Sequence, residues 1–114
     1  RRALELASDA PLIAISLAQV EIETGDPALL PEAAARLNAA TRAEPEALMG
    51  WRLLVIAEGR RGARGETALA QAELALREGD KAAAKSHATR AGGILVAGSP
   101  AWLRAQDIRT QLEK

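Results

Sequence analysis

His87 is the only histidine in the sequence; it stands between Ser86 and Ala88, and cysteine is absent throughout. A closed zinc site takes about four ligands drawn from Cys, His and carboxylates, so one imidazole without a thiolate or a second imidazole does not build one. A Ser86–His87 dyad fails on geometry, because adjacent residues of a helix diverge by about 100° and do not face each other. His87 is therefore read as structural or solvent-facing, and no catalytic residue, metal ligand set or cofactor site is expected in this chain. Arg60, Arg61 and Arg64 cluster around Gly62. The chemistry open to them is to grip a phosphate or an acidic partner. The plainer reading is that cations near a helix C-terminus offset its dipole, by about 0.3–1 kcal/mol each.

The elements that must position these residues follow from composition. Apolar residues make up 48% of the chain and charged residues 26%, which is globular rather than disordered. Fifteen basic and fifteen acidic side chains cancel, and no aromatics interleave with the arginines, so nucleic acid is not an expected partner. No apolar run approaches the roughly 20 residues needed to cross a bilayer, so direct membrane insertion is not expected either. Without cysteine there are no disulfides and no thiol chemistry. Phe and Tyr are absent and the aromatics are Trp51 and Trp102 alone, while alanine is roughly a quarter of the chain. A sheet would want β-branched and aromatic residues on its faces. Alanine favours helices that approach one another closely, so the fold class is all-α.

Pro, Gly and Asp cut the chain into pieces of helical length. Residues 1–7 read as the end of a preceding helix. Asp9 and Pro11 open a helix that ends at Thr24–Gly25, and Asp26-Pro27 begins a short turn. Pro31 suits a first helical turn, and that helix runs to about Ala43. Pro45 opens a third, to Gly59 or Arg60. After Gly62 and Gly65 a fourth runs from Glu66 to Glu78, and Gly79-Asp80 separates it from a fifth, Lys81 to Ala91. Gly92-Gly93 is read as its end, and Ser99-Pro100 opens a sixth. Short loops make neighbours antiparallel.

Gly25 and Gly62 lie 37 residues apart, as do Ala3 and Ala40, Ala18 and Val55, and Ser8 and Pro45. A three-residue insertion at Pro27–Leu30 would reduce that spacing to the 34 of a tetratricopeptide repeat. Gly79 follows Gly62 by only half a repeat, so helix 66–78 would pair with the helix on either side.

At Trp51-Arg52-Leu53-Leu54 through Gly62 the chain resembles the first helix of a tetratricopeptide repeat. Ala33, Leu37, Ala40 and Pro45 match its second helix, and Ala84 and Ala91 recur later. Ala14, Ala88 and Val96 depart from the pattern. The resemblance implies a right-handed solenoid of antiparallel helix hairpins, about six helices in one domain. Residues 1–8 would end a preceding helix, 9–44 and 45–79 would form two hairpins, and 80–114 a last hairpin with a capping helix. The segments 26–33, 68–73 and 98–108 are similar to the C-terminal repeat tail of bacterial HtpX-like and BepA-like zinc metallopeptidases, relatives of the CAAX prenyl proteases. That resemblance implies a catalytic zinc domain upstream, a place in the bacterial envelope or periplasm, and a tail that positions substrates or partners. A stand-alone adaptor and a brace for the peptidase are the alternative readings.

In tetratricopeptide arrays the first helix of each pair lines the concave groove. Carried onto this sequence, the groove contacts are Leu12, Ile15, Gln19 and Glu23, then Met49, Arg52, Ile56 and Arg60, then Leu69, Glu73 and Arg77. The expected occupant is a polypeptide or the protein's own catalytic domain. The paired Lys/Asn pattern of the carboxylate clamp is missing, so chaperone C-termini are not expected. Trp51 and Trp102 read as packing residues. Trp102, Ala105, Ile108 and Leu112 form one stripe of the last helix, with Arg104, Asp107 and Gln111 opposite it in water. Helix 11–24 is apolar nearly all round, so it is expected either to lie under a preceding helix or to pair with a second copy. The peptidase resemblance predicts a His-Glu-x-x-His helix encoded upstream of Arg1. Sequencing that region checks it, and further repeats without that motif would leave the adaptor.

Overall fold

With alanine at most of the buried apolar positions, the hydrophobic driving force per residue is small, and stability depends on many close helix contacts. The computed structural model describes the backbone of residues 2–113 and the side chains of residues 10–113. Six α-helices follow one another: α1 (Arg2–Glu23), α2 (Leu30–Ala43), α3 (Leu48–Arg61), α4 (Arg64–Arg77), α5 (Lys81–Ile94) and α6 (Pro100–Leu112). A 3-10 turn, Pro27–Leu29, precedes α2, and no strand occurs among the described residues. The chain is all-α.

Local chemistry sets most boundaries. Asp26 Oδ1 accepts from the Ala28 N–H at 2.9 Å, Asp80 Oδ1 from Ala83 at 3.0 Å and Ser99 Oγ from Trp102 at 3.2 Å, each satisfying an orphan donor at a helix start. Gly62 ends α3 in the left-handed region, at φ 78°, where a side chain would be strained. Four expected boundaries are corrected, the first being the start of α3, which lies at Leu48 rather than Pro45. The break at Asp9–Pro11 is absent: α1 runs through Pro11, so strong helix formers on both sides outweigh one missing N–H. Gly92-Gly93 does not stop α5, which continues to Ile94; a Cβ on Gly92 would lie 3.1 Å from Gln106 Nε2, so this glycine gives α6 room to approach. Gly65 falls inside the first turn of α4 rather than before it. The expected helix end over residues 1–8 has its side chains outside the described residues.

Each helix packs against the next in sequence, and α1 also meets α3 while α4 also meets α6. The larger core joins α1 to α4 through Ile15, Ala18, Ile22, Leu37, Leu53 and Leu54. Where three helices meet in it, a Cβ on Gly50 would come within 3.1 Å of Thr41 and 3.3 Å of Ile15. Arg36 Nε donates to Glu21 at 3.0 Å and ties α2 to α1. The second half is built on smaller pieces: Ala68, Ala91 and Ala105 at one level, and Ala72, Ala88 and Ile108 at the next. Along α1, Ile15 is core, whereas Leu12, Ile13, Leu17 and Val20 form a stripe that is about half exposed.

Two glycines give opposite predictions. A Cβ on Gly65 would lie 2.7 Å from Leu95 Cδ2 and 2.9 Å from its Cγ, so Gly65→Ala must displace the Leu95 side chain that follows α5. It is expected to lose about 1–3 kcal/mol. Gly59, in α3, has only Thr67 near its missing Cβ, at 3.9 Å, and Gly59→Ala is expected to gain up to about 1 kcal/mol from helix propensity. Urea denaturation of both variants checks the pair.

Candidate functional site

Glu73 is one of two buried acids, with Glu58, that line an open cleft of the molecule. It sits mid-helix in α4 with 7% of its side chain exposed, where an unpaired carboxylate would cost several kcal/mol. Three contacts neutralise it. Arg104 of α6 donates from Nε to Oε2 at 2.7 Å and from Nη2 to Oε1 at 2.8 Å, a two-pronged pair. Arg77, one turn on in α4, donates from Nη1 to Oε1 at 2.8 Å. Burial pushes the Glu73 carboxyl up, but Arg104 first and Arg77 second outweigh it, and the net direction is below the ordinary value of 4.5. The same hydrogen bond from Arg104 to Glu73 raises the guanidinium of Arg104. The Arg77 guanidinium also lies 4.8 Å from the ring centroid of Trp51, a cation–π distance, and Trp51 Nε1 donates to the Pro45 carbonyl at 2.7 Å. Trp51, Arg77, Glu73 and Arg104 thus form one chain of contacts from α3 through α4 to α6.

This chain lies along a cleft of about 480 Å³ whose walls are α2 and the start of α6 and whose floor is α3 and α4. The floor is apolar, with Trp51, Leu54, Leu69 and Ala70, and Pro100 and Ala101 close the far side. Its buried acids are paired: Glu73 as above, and Glu58 with Arg61 at 2.6 Å. Arg42 and Glu66 stand exposed at the rim, without an ion-pair partner among the described residues.

A second concavity, of about 480 Å³, runs between α1 and α3 and is lined by Gln19, Glu23, Ile56 and Arg60 together with Ile22 and Leu53. Arg60 Nη1 donates to the Ile22 carbonyl at 3.3 Å, so it holds the C-terminal end of α1 as well as lining the groove. Met49 and Ile56 are exposed on α3, and Arg52 reaches Glu78 at 3.4 Å.

At 3.6 residues per turn, Leu53, Ile56 and Arg60 face one side of α3 while Trp51, Leu54 and Glu58 face the other. The eleven residues carried over from the repeat pattern therefore divide: Ile15 is core, Leu12 belongs to the exposed stripe of α1 and Leu69 floors the opposite cleft. Gln19, Glu23, Ile56 and Arg60 come together at the α1–α3 groove, with Met49 and Arg52 exposed on α3 beyond its lining. Glu73 and Arg77 belong to the network at the opposite cleft. Arg104, read as water-facing, is corrected: it is the principal partner of Glu73. The Glu73–Arg77 spacing of four was a visible ion-pair signal. Nothing local marked Arg104, 31 residues away.

Because the Glu73 carboxyl is lower in the folded state, its contribution is present above about pH 4.5 and is lost as pH falls through the folded value. Glu73→Gln is expected to cost about 2 kcal/mol at neutral pH. The gap from the unsubstituted chain should then narrow on acidification below pH 5. Thermal melts from pH 7 to pH 3 check this; parallel curves would mean the ion pairs add nothing.

Neither a protein-family model nor a curated protein matches this sequence, so its function is read from these surfaces.

Proposed function

We propose that the chain is a tetratricopeptide-like protein-binding module, and that its α2/α3/α4/α6 cleft receives a bulky apolar side chain of a partner polypeptide. One observation carries the reading: the cleft is concave, floored by Trp51, Leu54 and Leu69, and edged by Arg42 and Glu66, which have no ion-pair partner among the described residues. Binding sites for anchor residues combine an apolar floor with a few polar groups at the margin. Because Glu58 and Glu73 are already paired, entry of an apolar group leaves no orphaned buried charge. The α1–α3 groove, with Gln19, Glu23 and Arg60 around Ile56, would accommodate flanking residues of a longer ligand. The neighbour-to-neighbour packing of the helices supports a solenoid-like array. By its resemblance to peptidase repeat tails, the partner would be a substrate or the catalytic domain of a parent zinc enzyme.

Selection of random twelve-residue peptides on the immobilised chain tests this. The expected outcome is enrichment of sequences with an aromatic or large aliphatic anchor. Ala101→Glu and Arg42→Glu, which alter the wall and rim, are each expected to weaken the selected peptides at least tenfold, about 1.4 kcal/mol, with little change in melting temperature. Peptides that bind both variants unchanged, or no enrichment at all, would favour a brace that presents no binding surface.

A further inference from the structure

The arginines around Gly62 are only partly absorbed by the site above. Arg61 pairs with Glu58 and Arg60 caps α1, which leaves Arg64. It lines a separate cavity of about 290 Å³ together with Arg90, Gln71, Thr67, Gly59, Gly62 and Ile94. This cavity lies where the end of α3, the start of α4 and the end of α5 meet. No carboxylate among the described residues lines it, and neither Arg64 nor Arg90 has an ion-pair partner among them. In a chain of zero net charge, two unpaired guanidinium groups facing one cavity stand out.

Arg90 is held in place without being neutralised. Its Nη2 donates to Gln71 Oε1 and contacts His87 Nδ1 at 2.9 Å. A guanidinium only donates, so Nδ1 is the acceptor and His87 is neutral with its proton on Nε2. The Nε and Nη1 donors of Arg90 remain for another acceptor. Burial first, and the Arg90 charge second, depress the His87 imidazole below its ordinary value of 6.5, while Asp80 acts the other way. The start of α4 adds the positive end of a helix beside the cavity, moderated by Glu66 in its first turn. Gly59 and Gly62 put no side chain in the way.

We propose that this cavity binds a tetrahedral dianion of the phosphate monoester class, gripped between Arg64 and Arg90. Size and donor type suit it: a phosphoryl group is compact and takes charge-assisted N–H bonds from guanidinium groups. His87 reports occupancy, because an anion on Arg90 relieves the repulsion that holds the imidazole down.

The single histidine makes the experiment direct. The imidazole resonance of His87 is titrated by proton NMR in sodium sulfate, which stays dianionic across the range, and in sodium chloride of equal ionic strength. Sulfate is expected to raise the titration midpoint saturably, and chloride is not. Arg64→Gln, which leaves the Arg90–His87 contact in place, is expected to weaken the sulfate response at least tenfold; Arg42→Gln, at the opposite cleft, is expected to leave it unchanged. Inorganic phosphate and O-phosphoserine are then compared at pH 7.5 by isothermal titration calorimetry, with Arg64→Gln as the control. Tighter phosphoserine binding assigns the site to a phosphorylated side chain, and equal binding to free phosphate. A sulfate response matched by chloride, or undiminished in Arg64→Gln, overturns the proposal.

Discussion

A carboxylate placed inside a helical stack constrains everything near it, and Glu73 is that carboxylate. Once it is buried in α4, a cation must reach it from within the same helix and another from a neighbour. Arg77 meets the first requirement and Arg104 the second. Arg104 in turn fixes the register of α6 on α4, since both of its bonds to Glu73 must be made at once. Arg77 cannot leave without uncovering the ring of Trp51. The positions of three helices are thereby coupled through one side chain, and the cleft inherits its shape from them. Buried ion pairs contribute little net stability compared with an apolar substitute. Their contribution here is positional: both Arg104 bonds to Glu73 form in one register of α6 on α4.

The surrounding packing explains why such a device is useful. Half of the molecule is held by Ile, Leu and Trp, but the α4–α5–α6 half is held largely by alanine at zero or near-zero exposure. Alanine interfaces bring helix backbones close, yet they interlock weakly, because a methyl group makes no deep knob. Sliding one such helix along another costs little in dispersion. Glycine at positions 65 and 92 deepens the contact at two places, and the ion pairs supply the positional preference that alanine lacks.

Much of this fold was legible in the sequence, because the signals for it are local. Helix content follows from alanine, and the starts at Ser99 and Asp80 follow from residues that cap. The failures also have local causes. Pro11 and Gly92-Gly93 carry strong stop signals, but each was overruled by neighbours that favour helix or by a packing need of α6. The candidate site was legible only in part. Residues sharing one helix face, such as Ile56 and Arg60, can be grouped by period alone, and the structure does bring them beside Gln19 and Glu23. What period cannot give is which face of α3 looks toward which neighbour, nor that α6 returns to wall a cleft begun by α2. That information lies in pairings between distant residues, Arg104 with Glu73 above all.

The same order of contacts bears on how the chain matures. Since each helix leans chiefly on its sequence neighbours, few long loops need to close, and assembly can be fast and follow synthesis from the N-terminus. The aliphatic core closes once residues up to Ala70 are available, before α6 exists. During that interval Glu73 has Arg77 as its sole cation and an unfinished cleft beside it. Until α6 docks that acid is under-neutralised, and its docking supplies the second cation and the far wall of the cleft together. That gives the thirteen-residue α6 the part of a latch on the stack as well as a wall of the site.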